Sequence, residues 1–136
     1  FQTLSLAAGI DRDCATLLAP HSLSEGRFVL LFLLDAAPGG LAPNALAERA
    51  GVTRATVTGL LDGLEREELI ERHADATDRR ALCIRLTRKG KRVAKVTFEQ
   101  HGRWIASLYG NLSAPERKQL TTLLEKVAGN LAGTAP

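Results

Sequence analysis

The feature that most constrains the fold is a short helical segment, a brief turn and a second helical segment within residues 43–66. Pro43 suits the first turn of a helix, and Gly51 suits its end, because glycine tolerates the left-handed conformation that closes many helices. Thr53 can cap the next helix. The apolar residues of that helix follow i, i+3, i+4, i+7 spacing: Val57, Leu60, Leu61 and Leu64. Two helices that meet at a steep angle need a residue tolerant of positive φ between them, and Gly51 supplies it, so the pattern favours a helix-turn-helix.

Two short strands are predicted directly after this motif. The first covers residues 69–73, and the second covers 82–86, where Leu82, Ile84 and Leu86 alternate with Cys83 and Arg85. This alternation places Cys83 on the outer face. The segment between the strands is too long for a two-residue turn, so we expect an extended β-hairpin loop.

Helical segments flank this core. An amphipathic helix is predicted to stop near Pro20, and Ser22 with Glu25 forms a capping box before a buried second helix. After the strands, Thr87 caps a long helix reaching about residue 109, and a final helix begins at a second capping box, Ser113 with Glu116. The fold class is therefore mainly α with a small β-hairpin wing: a winged helix-turn-helix flanked by N- and C-terminal helices. We expect one domain over residues 1–136, with a core at about 41–87 and flanking helices at 1–20 and 88–133.

The last helix carries an apolar stripe that one small domain cannot fully cover. Its members recur at near-heptad spacing: Leu120, Leu123, Leu124, Val127 and Leu131. Large exposed apolar patches commonly mark interfaces, so the flanking helices are predicted to form a homodimer.

Charge is concentrated beside the predicted hairpin. Residues 77–95 contain eight basic side chains and one acidic side chain, Asp78. A basic run alone is usually a solvated helix face, and the motif itself could be an ordinary helical hairpin with a charged loop. A basic segment directly after a helix-turn-helix favours double-stranded DNA. The second helix would then present Thr53, Arg54, Thr56 and Thr58 to the major groove, and the hairpin would place Arg79 and Arg80 in the minor groove.

Other functional classes lack support in the sequence. The chain shows none of the common nucleophile, zinc-protease, phosphate-loop or dinucleotide motifs, so we expect neither catalytic nor metal-binding residues, no cofactor and no enzyme activity. Two distant cysteines favour a reducing cytoplasm, and no apolar run is long enough to cross a membrane. Because the chain begins at Phe1 and contains no methionine, we expect the initiator residue to be missing.

Several motifs resemble the MarR (multiple antibiotic resistance regulator) family over about residues 22–131. The resemblance lies in residues 46–58 (LAERAGVTRATVT), Leu64-Glu65, residues 69–72 (LIER), and residues 78–80 (DRR) continued by residues 86–90 (LTRKG). By position, Thr53, Arg54, Thr56 and Thr58 look like recognition-helix contacts, Arg79 and Arg80 look like wing contacts, and Asp78 looks like the aspartate that orients them. Two residues depart from the family pattern: Glu68 replaces a glycine after the recognition helix, and Gly63 replaces a frequent arginine, which suggests one fewer phosphate contact.

The resemblance implies a bacterial or archaeal homodimer that binds a pseudo-palindromic operator, usually as a repressor, and is released by a small aromatic or phenolic ligand or by thiol oxidation. Family ligands lodge between the dimerisation helices and the winged region, where the polar or aromatic candidates are His21, Arg27, His101 and Trp104. Cys14 is the candidate for a redox switch. Two alternatives stay open: a winged-helix regulator switched by cysteine oxidation, and a winged-helix module that binds protein or RNA.

Overall fold

The computed structural model describes residues 1–75, 77 and 81–132. Within them lie six α-helices, a 3-10 turn and a two-stranded antiparallel sheet, which confirms the predicted fold class. The helices are α1 (Gln2–Leu18), α2 (Glu25–Asp35), α3 (Pro43–Ala50), α4 (Arg54–Arg66), α5 (Arg88–Leu108) and α6 (Ala114–Ala128), and the strands are β1 (Ile70–Ala74) and β2 (Leu82–Leu86). The 3-10 turn, Ala19–His21, joins α1 to α2.

The chain divides into two compact units, residues 1–101 and residues 102–136. The core of the first unit consists of side chains from α1 to α4, both strands, the first part of α5 and the short segments before α2 and β1. Its most deeply buried apolar members include Leu18, Leu30, Leu31, Leu46, Val57, Leu64, Leu69 and Ile84. In the second unit, α6 begins at the predicted capping box: Ser113 Oγ accepts from the amide of Glu116, and Glu116 accepts from the amide of Ser113.

The predicted start of α2 is wrong by two residues. Ser22 has a left-handed conformation (φ 59°) and ends the 3-10 turn, so its side chain cannot cap α2. Ser24 is the N-cap instead, because its backbone is extended and its hydroxyl accepts from the amide of Arg27 at 3.2 Å.

The predicted outer-face position of Cys83 is also wrong. Cys83 is buried, whereas Leu82 is exposed. The reason is a short segment that pairs with β2: Leu41 forms an isolated bridge to Ile84, and the carbonyl of Gly39 accepts from Cys83 Sγ at 3.3 Å. Gly40 makes this approach possible, since its φ is +91° and a Cβ there would collide with Cys83 Sγ.

No single helix in the described part of the chain is long and apolar enough to cross a membrane. The segments Gln2–His21 and Glu25–Asp35, which are separated by a bend of 69°, would be long and apolar enough only if they are taken together, and only by length and composition.

Candidate nucleic-acid interface

Helix α4 begins with the cap that the sequence predicts. Thr53 has extended backbone, and its Oγ1 accepts from the amide of Thr56 at 3.1 Å. The two threonine hydroxyls also lie 2.9 Å apart. Gly51 ends α3 with φ 70°, so the turn between the helices has the predicted glycine geometry. These local bonds fix the direction in which the first turn of α4 leaves the core.

The face of α4 opposite its buried stripe is exposed. Val57, Leu61 and Leu64 are buried, whereas Thr53, Arg54, Thr56 and Thr58 are exposed. Thr58 Oγ1 donates to the carbonyl of Arg54 at 3.1 Å, which leaves its oxygen able to accept a further bond. The structure thus leaves all four predicted contact residues exposed around the N-terminal half of α4, with Arg54 and Thr58 on one flank and Thr56 on the other.

Arg54 has a partner that sequence spacing did not indicate. Its Nη1 donates to Oδ1 of Asn44 in the first turn of α3. This bond holds the guanidinium close to the helix-turn-helix and limits its freedom before any ligand binds. Asn44 was missed because it lies ten residues away along the chain.

The β1–β2 hairpin follows α4, and its two strands form a regular antiparallel ladder. The strands pair from Ile70 with Leu86 to Ala74 with Leu82. The predicted wing contacts Asp78, Arg79 and Arg80 lie outside the described residues.

The junction of α4, β1 and α5 explains the Leu-Thr-x-x-Gly motif. Thr87 donates its amide to the carbonyl of Leu69 (3.1 Å) and its hydroxyl to the carbonyl of Glu68 (2.7 Å), and its Oγ1 accepts from the amide of Gly90. A Cβ at position 90 would collide with the Leu69 carbonyl oxygen, so only glycine permits this close packing. Lys89 Nζ also donates to the carbonyl of Glu67 at 2.9 Å.

The predicted effector residues do not all face the same place. His21 Nε2 lies 2.9 Å from Gln100 Oε1, and the His101 ring lies 4.6 Å from the ring of Phe28, so both histidines contact the region where α2 meets α5. Arg27 instead donates from Nη1 to the carbonyl of Ser22 at 3.0 Å, and its guanidinium lies against Gly63 of α4. Trp104 belongs to the second unit.

Gly63 is buried rather than part of the exposed face of α4. A Cβ at this position would collide with the Arg27 guanidinium. In this chain the glycine makes room for an arginine from α2.

Cys14 is 7% exposed. Burial, followed by the nearby carboxylates of Glu25 and Asp11, raises the pKa of its thiol above the usual value. The thiolate is the reactive form, so these observations favour a structural role for Cys14 over a redox switch. No group of three histidine, cysteine or acidic side chains within residues 1–75, 77 and 81–132 could hold a metal ion.

Comparisons with known proteins point to one family. Residues 23–82 match the model of the MarR family. The chain is 38% identical over 107 residues to the HTH-type transcriptional repressor YetL of Bacillus subtilis (strain 168), and the match covers 78% of this chain. It spans 64% of YetL, slightly less than two thirds of that relative.

Two solved structures with DNA share the fold. The S. aureus MepR–DNA complex matches with a TM-score of 0.85 and 27% identity, over 96% of each chain. A mutant MarR from E. coli complexed with operator DNA matches with a TM-score of 0.80 and 25% identity, over 93% of this chain and 90% of that one. Proteins of this family are DNA-binding transcriptional regulators and not enzymes. The helix-turn-helix, the hairpin behind it and these matches agree in their similarity to the MarR family.

Proposed function

We propose that this protein is a transcription regulator that binds a pseudo-palindromic DNA operator as a homodimer, most simply as a repressor. The observation that carries the proposal is the exposed polar face of α4, capped by Thr53 and followed directly by a basic hairpin region. YetL is named as a repressor, and the MepR and MarR structures contain DNA, which supports the same role here. Two free cysteines fit a cytoplasmic protein.

In this proposal α4 contacts the DNA bases and so determines which DNA sequence is bound. A helix fits the major groove, where each base pair shows a distinct pattern of donors and acceptors. Arg54 can form two bonds to a guanine, and the threonine hydroxyls can donate or accept. The N-terminal end of α4, with its partial positive charge, favours a phosphate nearby.

The hairpin is proposed to increase the affinity for DNA rather than the sequence specificity. Arg79 and Arg80 would enter the minor groove, whose pattern distinguishes A·T from G·C and little else. Asp78 is proposed to hold one of these arginines by a charge-assisted hydrogen bond. These three assignments come from the sequence.

The test compares variants of the two elements on one DNA duplex selected by the protein from a random-sequence library, and on a shuffled duplex. Arg54→Ala or Thr56→Ala should lose about 1–3 kcal/mol of discrimination for each specific base contact removed. Arg79→Ala with Arg80→Ala should weaken binding to both duplexes similarly and flatten the salt dependence by about one to two charges. Asp78→Ala should also weaken binding to both duplexes, by a smaller factor, although it removes no positive charge.

Two outcomes would contradict these assignments. A hairpin double variant with unchanged affinity and salt dependence would exclude Arg79 and Arg80 as DNA contacts. Failure of the wild-type protein to select any DNA would favour the alternative of a winged-helix module that binds protein or RNA.

We further propose that a small aromatic ligand carrying a carboxylate or phenol releases the protein from DNA. Aromatic rings cluster between α2 and α5: the Phe28 and Phe98 ring centroids are 5.3 Å apart, and Phe32, 56% exposed, lies 5.6 Å from Phe98. His101 contacts this cluster through the Phe28 ring, and His21 bonds to the neighbouring Gln100, so we expect these side chains to offer polar groups to such a ligand. Rings of this kind can stack on an aromatic ligand.

Salicylate-like compounds test the effector proposal. Because Trp104 is the only tryptophan, its fluorescence can be followed while DNA affinity is measured in the same titration. A useful switch requires a loss of affinity equivalent to about 1–3 kcal/mol. Unchanged affinity across a broad panel, together with DNA release by peroxide that Cys14→Ser abolishes, would instead establish the thiol route.

A further inference from the structure

An ion network outside the predicted contacts joins α4 to the hairpin. Arg72, in β1, donates from Nη2 to Asp62 Oδ1 at 2.9 Å and from Nη1 to Glu65 Oε1 at 2.8 Å. Asp62 and Glu65 are three residues apart in α4, so both carboxylates project from the same side of that helix. One guanidinium therefore holds two successive turns of α4.

The network is better suited to orientation than to stability. The side chain of Arg72 is 27% exposed, and those of Asp62 and Glu65 are 56% and 48% exposed. Ion pairs this exposed contribute little to folding free energy. A planar guanidinium bound to two fixed carboxylates nevertheless restricts rotation of one element relative to the other.

The position of Arg72 along β1 makes this restriction useful. The chain entering β1 is already fixed next to α4, since the amide of Leu69 donates to the carbonyl of Leu64 at 2.9 Å and Ile70 is buried. Arg72 lies two residues further out and pairs with Ile84 in the sheet. Arg72 therefore adds a second contact between the hairpin and α4. Two contacts restrict rotation of the hairpin relative to α4 more than one contact does.

We propose that Arg72 is a positioning residue for DNA binding: it sets the angle between α4 and the β1–β2 hairpin so that both elements contact the same duplex. This inference rests on the proposed function of α4 and the hairpin. Arg72 itself need not touch DNA. Its effect is to make the contributions of the two elements depend on each other.

Three variants separate geometry from charge, all measured on the selected duplex at several salt concentrations. Arg72→Gln removes the guanidinium and leaves the carboxylates of Asp62 and Glu65 without it. This variant should bind the DNA about tenfold more weakly. Arg72→Lys keeps the charge but cannot bind both carboxylates in the same planar geometry, and should also weaken binding. The triple variant Asp62→Asn, Glu65→Gln, Arg72→Gln removes all three charges, and should remain weaker than the wild type.

A second measurement reports positioning directly. Arg79→Ala with Arg80→Ala should cost less affinity in the Arg72→Gln background than in the wild type, because a misdirected hairpin contributes less. Arg103→Gln is the matched control: it removes one exposed cation from the second unit and should leave this coupling unchanged. Urea unfolding of each variant checks the fold, and Arg72→Lys decides the matter if Arg72→Gln does not fold.

The opposite results would overturn the inference. Wild-type affinity in Arg72→Lys, or affinity at or above wild type in the triple variant, would show that Arg72 acts by charge alone. Additive effects of the Arg72 and hairpin substitutions would show that the two elements act independently. If the wild-type protein selects no DNA at all, the proposed function fails first and the positioning role with it.

Discussion

At the scale of single residues, Glu68 has an unusual backbone conformation for a residue other than glycine. It has φ 60°, in the left-handed region that glycine adopts more easily than other residues. The end of α4 requires this conformation: the amide of Glu68 donates to the carbonyl of Glu65 at 2.9 Å, and the amide of Leu69 donates to that of Leu64 at 2.9 Å. This is the bonding pattern of a Schellman motif, in which glycine is the usual residue. The left-handed cap is therefore present although the residue is a glutamate.

Glu68→Gly should increase the free energy of unfolding by about 0.5–1 kcal/mol, because it relieves the left-handed strain while keeping the hydrogen bonds. Urea denaturation measures the change. Glu67→Gly is the control, since Glu67 has φ −83° and gains nothing from glycine there. It should lower the stability instead. Equal shifts in the same direction would show that strain at position 68 is not the cause.

At the scale of elements, close approach between α5 and the start of β1 depends on Gly90. The amide of Gly90 donates to Thr87 Oγ1, and the carbonyl of Leu69 occupies the space that a side chain would need. The obstacle is backbone, which cannot rotate aside as the end of a long side chain can. The spacing between α5 and the hairpin base therefore has little tolerance for added atoms.

Gly90→Ala should lower the free energy of unfolding by about 1–3 kcal/mol through this overlap, despite the higher helix propensity of alanine. Gly59→Ala in α4 is the matched control, because no atom lies within 4 Å of a Cβ built there. It should raise the stability by about 0.5–1 kcal/mol. Thermal or urea unfolding would show opposite signs for the two variants, and a stabilised Gly90→Ala would contradict the packing argument.

At the scale of the whole molecule, large apolar side chains are exposed on several of the described helices, and α1 and α6 each carry more than one above 50%. On α1, Leu4 and Leu6 are 76% and 64% exposed. On α6, Leu123, Leu124 and Val127 are 52–61% exposed, and Leu131, just beyond the helix, is 62% exposed. Apolar surface of this extent favours burial against a second copy of the chain. This exposure supports the proposed homodimer.

Leu124→Glu with Leu131→Glu should convert the dimer to monomers, because two charges cannot be buried unpaired in an apolar interface. Analytical ultracentrifugation measures the change in mass. Thr122→Glu adds a charge on the opposite face of α6 and should leave the dimer intact. If the double variant sedimented as a stable dimer, the interface would lie elsewhere.

The sequence alone was sufficient at most positions where structure depends on bonds between near neighbours. Pro43, Gly51, Thr53 and the Ser113 capping box mark helix ends correctly, because each acts through its own dihedral angles or through a bond to a residue three or four positions away. The same reasoning found the exposed face of α4, since helical periodicity determines which residues share a face. It failed at Ser22, where two serines could each cap a helix and the 3-10 turn decided between them.

Only the tertiary structure decided the contacts between residues distant in sequence. Cys83 is buried because the segment around Gly39 and Leu41 covers β2, which no alternation within the strand could indicate. Arg27 lies against Gly63, and Arg72 joins Asp62 to Glu65, and no spacing within one element indicates these contacts. Periodicity specifies which way a side chain points along its own element. The partner that it meets depends on how the elements pack.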